Sequence, residues 1–105
     1  MKLLIRIAVA FLLLGSALSA QAEATYLSGR ITNVTTGASG LFIMLDSGVP
    51  TNCSGVSYGW MMIPEASKAM IAVVLITWQN KGGGVVYTNA LSGGNCVINQ
   101  FDPWE

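Results

Sequence analysis

Cys53 and Cys96 are the side chains with the most reactive chemistry, and the chain has only these two cysteines. A metal site or an activated thiol would need further partners, above all an imidazole, and the chain has no histidine. In an oxidising compartment a lone pair of cysteines most simply forms a disulfide. Closing a loop of about 44 residues would stabilise the fold by about 4 kcal/mol. We therefore predict a Cys53–Cys96 disulfide, no metal site and no cofactor.

Carboxylates are the remaining candidates for catalysis. Without histidine the chain lacks the commonest general base, and its serines show no G-x-S-x-G motif. Asp46, Glu65 and Asp102 could act as a glycosidase pair only if the fold brought two of them within about 5–10 Å of each other. We predict that the protein is not an enzyme, and a hydrolase that uses two carboxylates is the weakest of three hypotheses.

Aromatic rings with a polar edge are numerous for a chain of 105 residues. They are Tyr26, Tyr58, Trp60, Trp78, Tyr87 and Trp104. Such rings stack on sugars or anchor protein partners, although they also fill cores. Trp60, in the apolar segment YGWMMI, and Trp104, beside Pro103, are the candidate binding aromatics. For Trp60 we favour a place in the core over a binding role.

Charge is sparse, and its distribution excludes one class of ligand. All five acidic side chains fall in residues 23–105, together with only Arg30, Lys68 and Lys81 as basic ones. Nucleic-acid binding depends on clustered Lys and Arg, so we predict no nucleic-acid partner. A surface with so few charges tends to associate, which predicts a homo-oligomer or a protein partner.

The first 22 residues have the layout of a secretory signal peptide. Lys2 and Arg6 precede an apolar run at 7–14, and Ala20-Gln21-Ala22 forms an A-x-A cleavage site. The apolar run is too short to span about 30 Å of hydrocarbon, which takes about 20 residues. We predict a cleaved signal at 1–22, one domain at 23–105, no membrane span after cleavage, and a periplasmic or secreted location.

Five segments of the domain are predicted strands. Residues 26–34 alternate apolar and polar side chains, and the apolar run 41–45 fits a strand buried on both faces. A turn cluster at 35–40 joins them into a hairpin, and 49–57 reads as a loop. Further strands are predicted at 58–63, from 84–87 onward, and at 96–101.

The stretch AMIAVVLITW, residues 69–78, has no charge, and either a helix or a strand could explain it. Its β-branched residues favour a strand, which would make the fold an all-β sandwich. Its length, with Pro64 and Glu65 before it and Lys81 after it, favours a helix, which we predict.

Both faces of that predicted helix are apolar. One face carries Ala69, Met70, Val73, Ile76 and Thr77. The other carries Ile71, Val74, Leu75 and Trp78. A helix that is apolar all round should be buried all round, so we predict the second face as a partner surface.

The predicted order, β-β-β-α-β-β with one disulfide, is that of the OB-fold, a five-stranded barrel used to bind oligonucleotides and oligosaccharides. Several short motifs add a resemblance. They are Ser28-Gly29-Arg30-Ile31, Pro50-Thr51-Asn52-Cys53, Trp60 with Ile63-Pro64, Lys68-Ala69-Met70, Lys81-Gly82, Val85-Val86-Tyr87 and Cys96. In these the chain resembles short exported bacterial proteins related to the binding (B) subunit of subtilase-type cytotoxins. The resemblance implies a disulfide-stapled OB-fold, assembly into a five-membered ring and binding of cell-surface glycans.

Two functional hypotheses lead from this sequence. The first is a small exported, non-enzymatic protein that acts through self-association or a protein partner. The alternative is a glycan-binding module that resembles the toxin subunits.

Overall fold

A computed structural model describes residues 23–105, and the predicted signal peptide at 1–22 lies outside the described residues. The elements are β1 (Tyr26–Gly37), β2 (Gly40–Leu45), β3 (Met61–Pro64), α1 (Lys68–Gln79), β4 (Gly83–Thr88) and β5 (Cys96–Pro103). The prediction of a mainly β domain with one helix, in the order β-β-β-α-β-β, is confirmed.

The five strands close into a ring in the order β1-β2-β3-β5-β4, and β4 pairs back onto β1. The length of β1 makes this closure possible. Its first half, from Tyr26 to Arg30, pairs with β4, and its second half, from Ile31 to Gly37, pairs with β2. All pairings are antiparallel except that of β3 with β5, which is parallel.

The ring places alternate side chains inside, and this corrects the prediction for β2. Leu41, Ile43 and Leu45 are buried in the core, while Phe42 and Met44 are only half-buried. The prediction that this strand is buried on both faces is therefore wrong. A strand of a closed ring has one inner and one outer face, and a continuous apolar run does not reveal which side chains point outward.

The helical interpretation of residues 69–78 is confirmed, but α1 begins later than its flanking residues suggested. Pro64 ends β3, where it pairs with Gly40, and the first turn of α1 contains no acidic residue. Pro64 and Glu65 therefore do not form the helix N-terminus.

The face of α1 predicted as a partner surface is its core face. Val74 is completely buried, and Ile71 and Leu75 pack against the core. Trp78 lies four residues after Val74, hence on the same side of the helix, but beyond the rim of the core, where it is 41% exposed.

The solvent-facing side of α1 is the opposite one and is also apolar. It carries Ala69, Ala72, Val73 and Ile76, with Ile76 59% exposed. Because both faces have similar side chains, the sequence pattern could not decide which one meets the core.

The predicted disulfide is confirmed. Cys53 and Cys96 are bonded, both are fully buried, and their Cα atoms are 5.5 Å apart. In residues 23–105 no helix is long and apolar enough to cross a membrane.

Candidate functional site

A surface groove of about 370 Å³ lies where the end of the β1–β2 hairpin meets the turn between β4 and β5. We call it the aromatic groove because Phe42, Tyr58 and Trp60 line it. Its other lining residues are small, aliphatic or uncharged polar ones: Thr35, Thr36, Gly37, Val56, Ser57, Gly94 and Asn95. No charged side chain lines this groove.

The walls of the aromatic groove are tied together by the disulfide. Cys53 precedes the segment 56–60, and Cys96 directly follows Gly94 and Asn95, so one covalent bond links two walls of the groove. These walls come from irregular backbone rather than from the strands of the ring. The disulfide therefore supplies positioning that strand pairing does not.

Hydrogen bonds fix the same segment to β4. The Thr88 hydroxyl donates to Asn52 Oδ1 at 2.7 Å, and Asn52 Nδ2 donates to the Thr88 carbonyl at 3.0 Å. Thr88 is buried, which makes this reciprocal pair costly to break. The segment that leads from Asn52 into the groove is therefore attached to β4 at its start.

Tyr58 is held in an unusual backbone conformation. Its φ is 58°, in the left-handed region that a bulky side chain rarely adopts, and the ring is 86% exposed. Such strain costs on the order of 1–3 kcal/mol and is found most often at ligand sites. The strain, combined with exposure of a large ring, makes Tyr58 a candidate functional residue.

The predicted strand at 58–63 is wrong at its start for the same reason. Residues 57–59 form a 3₁₀ turn, and β3 begins only at Met61. Tyr58 and Gly59 both have positive φ, which breaks the strand before Trp60. Trp60 is half-buried and lines the groove instead of standing in the core.

The two predicted binding aromatics do not form one site. Trp104 is 52% exposed and lines a different cavity of about 310 Å³, beside Ile76 and Pro103. Its indole N–H donates to Ser28 Oγ at 3.0 Å, and its main-chain N–H donates to the Gly83 carbonyl at 2.9 Å. These bonds fasten the end of the chain to the ring.

Sequence reasoning missed Phe42 as a groove residue and did not single out Tyr58. Phe42 stands at the second position of LFIML, so alternation within β2 turns it outward once Leu41 and Ile43 are inside. The signal for Tyr58 was Gly59 directly after it in a turn-rich segment, since positive φ tends to occur in such turns.

Asp46, Glu65 and Asp102 line neither the aromatic groove nor the cavity beside Trp104. Asp46 Oδ1 accepts the main-chain N–H of Arg30 at 2.9 Å. The pKa of Tyr87 is raised above its usual value, mainly by desolvation. Asp102 raises it further, through a hydrogen bond with the phenol and through its negative charge. The Tyr87 phenol therefore stays protonated at neutral pH.

No group of three or more His, Cys, Asp or Glu side chains that could hold a metal ion occurs in residues 23–105. A scan against protein-family models, a search of curated proteins and a search of solved structures each return no match for this chain. Its function must therefore be argued from the geometry of these sites.

Proposed function

We propose that this chain is a small exported OB-fold protein without enzymatic activity, and that its aromatic groove binds a neutral saccharide. Three features support the fold assignment: the strand order, the parallel pairing of β3 with β5, and the position of α1 between β3 and β4. Proteins with this fold bind oligosaccharides through the face of strands two and three and the loops after strands one and four. The aromatic groove takes Phe42 from β2, Gly37 from the end of β1, and Gly94 and Asn95 from the connection between β4 and β5, so it lies close to that binding region.

The observation that carries the proposal is the composition of the groove. Three rings, Phe42, Tyr58 and Trp60, lie beside hydroxyl and amide groups, and no ionisable side chain lines the cavity apart from the Tyr58 phenol. The rings can stack on the apolar face of a sugar, and the polar groups can exchange hydrogen bonds with its hydroxyls. The absence of charge in the lining favours an uncharged ligand over an anionic one.

Export agrees with the disulfide, because such bonds form and persist in oxidising compartments. The resemblance to toxin binding subunits, which is an expectation from short sequence motifs, would imply the same class of ligand. We therefore place glycan binding ahead of association as the function of the groove.

An array of neutral glycans, probed with protein whose disulfide is intact, tests this function. Glycans that bind should then be measured by calorimetry with Trp60→Leu and with Trp104→Leu as the matched control, since Trp104 lies outside the groove. We expect Trp60→Leu to weaken binding about tenfold, because stacking on one ring is worth about 1–1.5 kcal/mol. Absence of neutral-glycan binding, or equal losses in the two variants, would contradict the proposal.

Self-association through the outer face of α1 is the second candidate function. Val73 is 39% and Ile76 59% exposed, and residues 69–80 contain no ionisable side chain. Two copies of this face can therefore meet without desolvating a charge. If this face instead binds a protein partner with an apolar face of its own, the chain on its own should be monomeric.

Light scattering at micromolar concentration tests the association. We expect an oligomer that dissociates in Ile76→Lys and persists in Leu91→Lys, which changes another exposed apolar side chain in the same way. A monomeric wild-type protein would show that this face does not join copies of the chain.

A further inference from the structure

A third cavity, also of about 310 Å³ but separate from the one beside Trp104, lies where β1 passes the C-terminal end of α1. Its lining is Arg30, Ile31, Thr32, Trp78 and Lys81. We call it the basic pocket. It is separate from the aromatic groove, and the two share no lining residue.

The basic pocket concentrates positive charge in a domain with few positive charges. Residues 23–105 carry three basic side chains, and two of these, Arg30 and Lys81, line this one cavity. The third, Lys68, stands at the opposite end of α1, about 18 Å away along the helix axis. No acidic side chain lines the pocket.

Asp46 is hydrogen-bonded to the backbone of Arg30. It accepts the main-chain N–H of Arg30, and its own N–H donates to the Arg30 carbonyl, both at 2.9 Å. These contacts use the backbone of Arg30 and pin β1 to the end of β2. The carboxylate thus positions the strand from which the guanidinium projects.

Lys81 occupies a backbone position that normally belongs to glycine. The Gly82 N–H donates to the Thr77 carbonyl and the Lys81 N–H to the Trp78 carbonyl, both at 2.9 Å, which is the Schellman pattern at a helix C-terminus. In that pattern Lys81 is the residue with left-handed backbone, and its φ is 58°. Glycine is favoured there because a Cβ atom is crowded in this conformation.

The residue after Lys81 is a glycine, Gly82, but the left-handed position itself is occupied by lysine. A glycine at position 81 would relieve the strain. Strain of this kind persists mostly where the side chain has a function. The function available to Lys81 is set by its neighbours, a guanidinium and an indole that is 41% exposed.

We propose that the basic pocket binds an anionic group attached to a six-membered ring that has an apolar face. Arg30 and Lys81 hold the carboxylate or sulfate, and the ring lies against Trp78. Arginine offers a planar fork that matches a carboxylate, lysine adds a second positive charge, and the indole covers the ring. An acidic sugar and an aromatic acid both have this chemistry. The net attraction is local, because the domain as a whole is slightly acidic.

Calorimetric titrations with glucuronate, glucose, benzoate and inorganic sulfate test this proposal on the purified protein. We expect glucuronate or benzoate to bind with a Kd on the order of 1 mM, which is typical of a small exposed site, and glucose not to bind in this pocket. A preference for glucuronate identifies an acidic sugar, and a preference for benzoate identifies an aromatic acid. Sulfate should bind more weakly than both because it leaves Trp78 uncovered.

Four variants separate the pocket from general charge effects. Arg30→Gln and Lys81→Asn should each weaken binding at least about tenfold, since a charge-assisted hydrogen bond is lost. Lys68→Gln removes the same charge outside the pocket and should leave the affinity unchanged. Lys81→Gly should weaken binding as much as Lys81→Asn does while raising Tm by about 4 °C, because glycine relieves the left-handed strain.

Two results would overturn the proposal. One is the absence of binding of glucuronate, benzoate and sulfate at about 10 mM, far above the expected Kd. The other is an equal loss of affinity in Lys68→Gln and Lys81→Asn, which would show attraction to net charge alone. A Tm that falls in Lys81→Gly would contradict the strain argument.

Discussion

The aromatic groove and the basic pocket use the same backbone device for different chemistry. Tyr58 and Lys81 are the non-glycine residues with positive φ in residues 23–105, and each lines one of these two cavities. The groove is uncharged and is built from loops joined by a disulfide. The pocket is cationic and depends on the end of α1. The two cavities thus share a strained residue and differ in the charge of their linings, and that difference sets the ligand we expect for each.

The largest expected effect comes from removing the disulfide. In a Cys53→Ala/Cys96→Ala double variant we expect a loss of about 4 kcal/mol in the free energy of unfolding, from the loop that the bond closes. Urea unfolding followed by circular dichroism measures this loss. In conditions where the variant is still folded, neutral-glycan binding should fall more than anion binding, because the disulfide joins the walls of the groove alone. Equal losses at both sites would remove the distinction between them.

The second effect concerns the helix on which the basic pocket depends. Leu75→Lys places a charge against the core and should lower the free energy of unfolding by about 3 kcal/mol. Ile76→Lys, one residue further on the exposed face, should change the free energy of unfolding of the monomer by less than about 0.5 kcal/mol. Chemical unfolding of both variants checks this contrast. A similar cost for the two substitutions would show that the orientation of α1 is different from the one described.

The third effect is a gain in stability at the groove. Tyr58→Gly should raise the free energy of unfolding by about 1 kcal/mol, because glycine adopts φ of 58° without strain. The same variant should weaken neutral-glycan binding about tenfold through the loss of the ring. Thermal unfolding and calorimetry measure the two quantities. A loss of stability would mean that Tyr58 is a structural residue and that its conformation has no functional reason.

The smallest effect is that of salt. Raising the ionic strength from about 0.01 M to about 0.15 M shortens the Debye length from about 30 Å to about 8 Å. Glucuronate binding should therefore weaken severalfold, whereas neutral-glycan binding should stay the same. Calorimetry at the two ionic strengths measures both. If the affinity for the neutral glycan also changed with salt, a charge would contribute to binding in the groove.

Element order and the disulfide were predictable from the sequence, because turn residues, the length of the apolar run and the two cysteines act locally. The orientation of α1 was not, since Val74 on one face and Ile76 on the other are equally apolar. Only the ring, which presents one apolar interior to the helix, decides that Val74 is buried.

The candidate sites were predictable only in part for a similar reason. Trp60 could be named from its residue type, but its place beside Phe42 depends on which side of β2 faces outward. Arg30 and Lys81 meet because β1 passes the end of α1, and no spacing in the sequence encodes that contact. Which residues share a site could therefore be read only from the tertiary structure and not from patterns in the sequence.

Assigned indole N–H signals of Trp60 and Trp78 provide the most direct test of two separate sites with different charge preference. NMR titrations would use the neutral glycan selected on the array and, separately, glucuronate. We predict that the neutral glycan shifts the Trp60 signal and leaves Trp78 unchanged, and that glucuronate shifts Trp78 and leaves Trp60 unchanged. If both ligands shift the same indole, or neither shifts either one, the account of two sites is wrong.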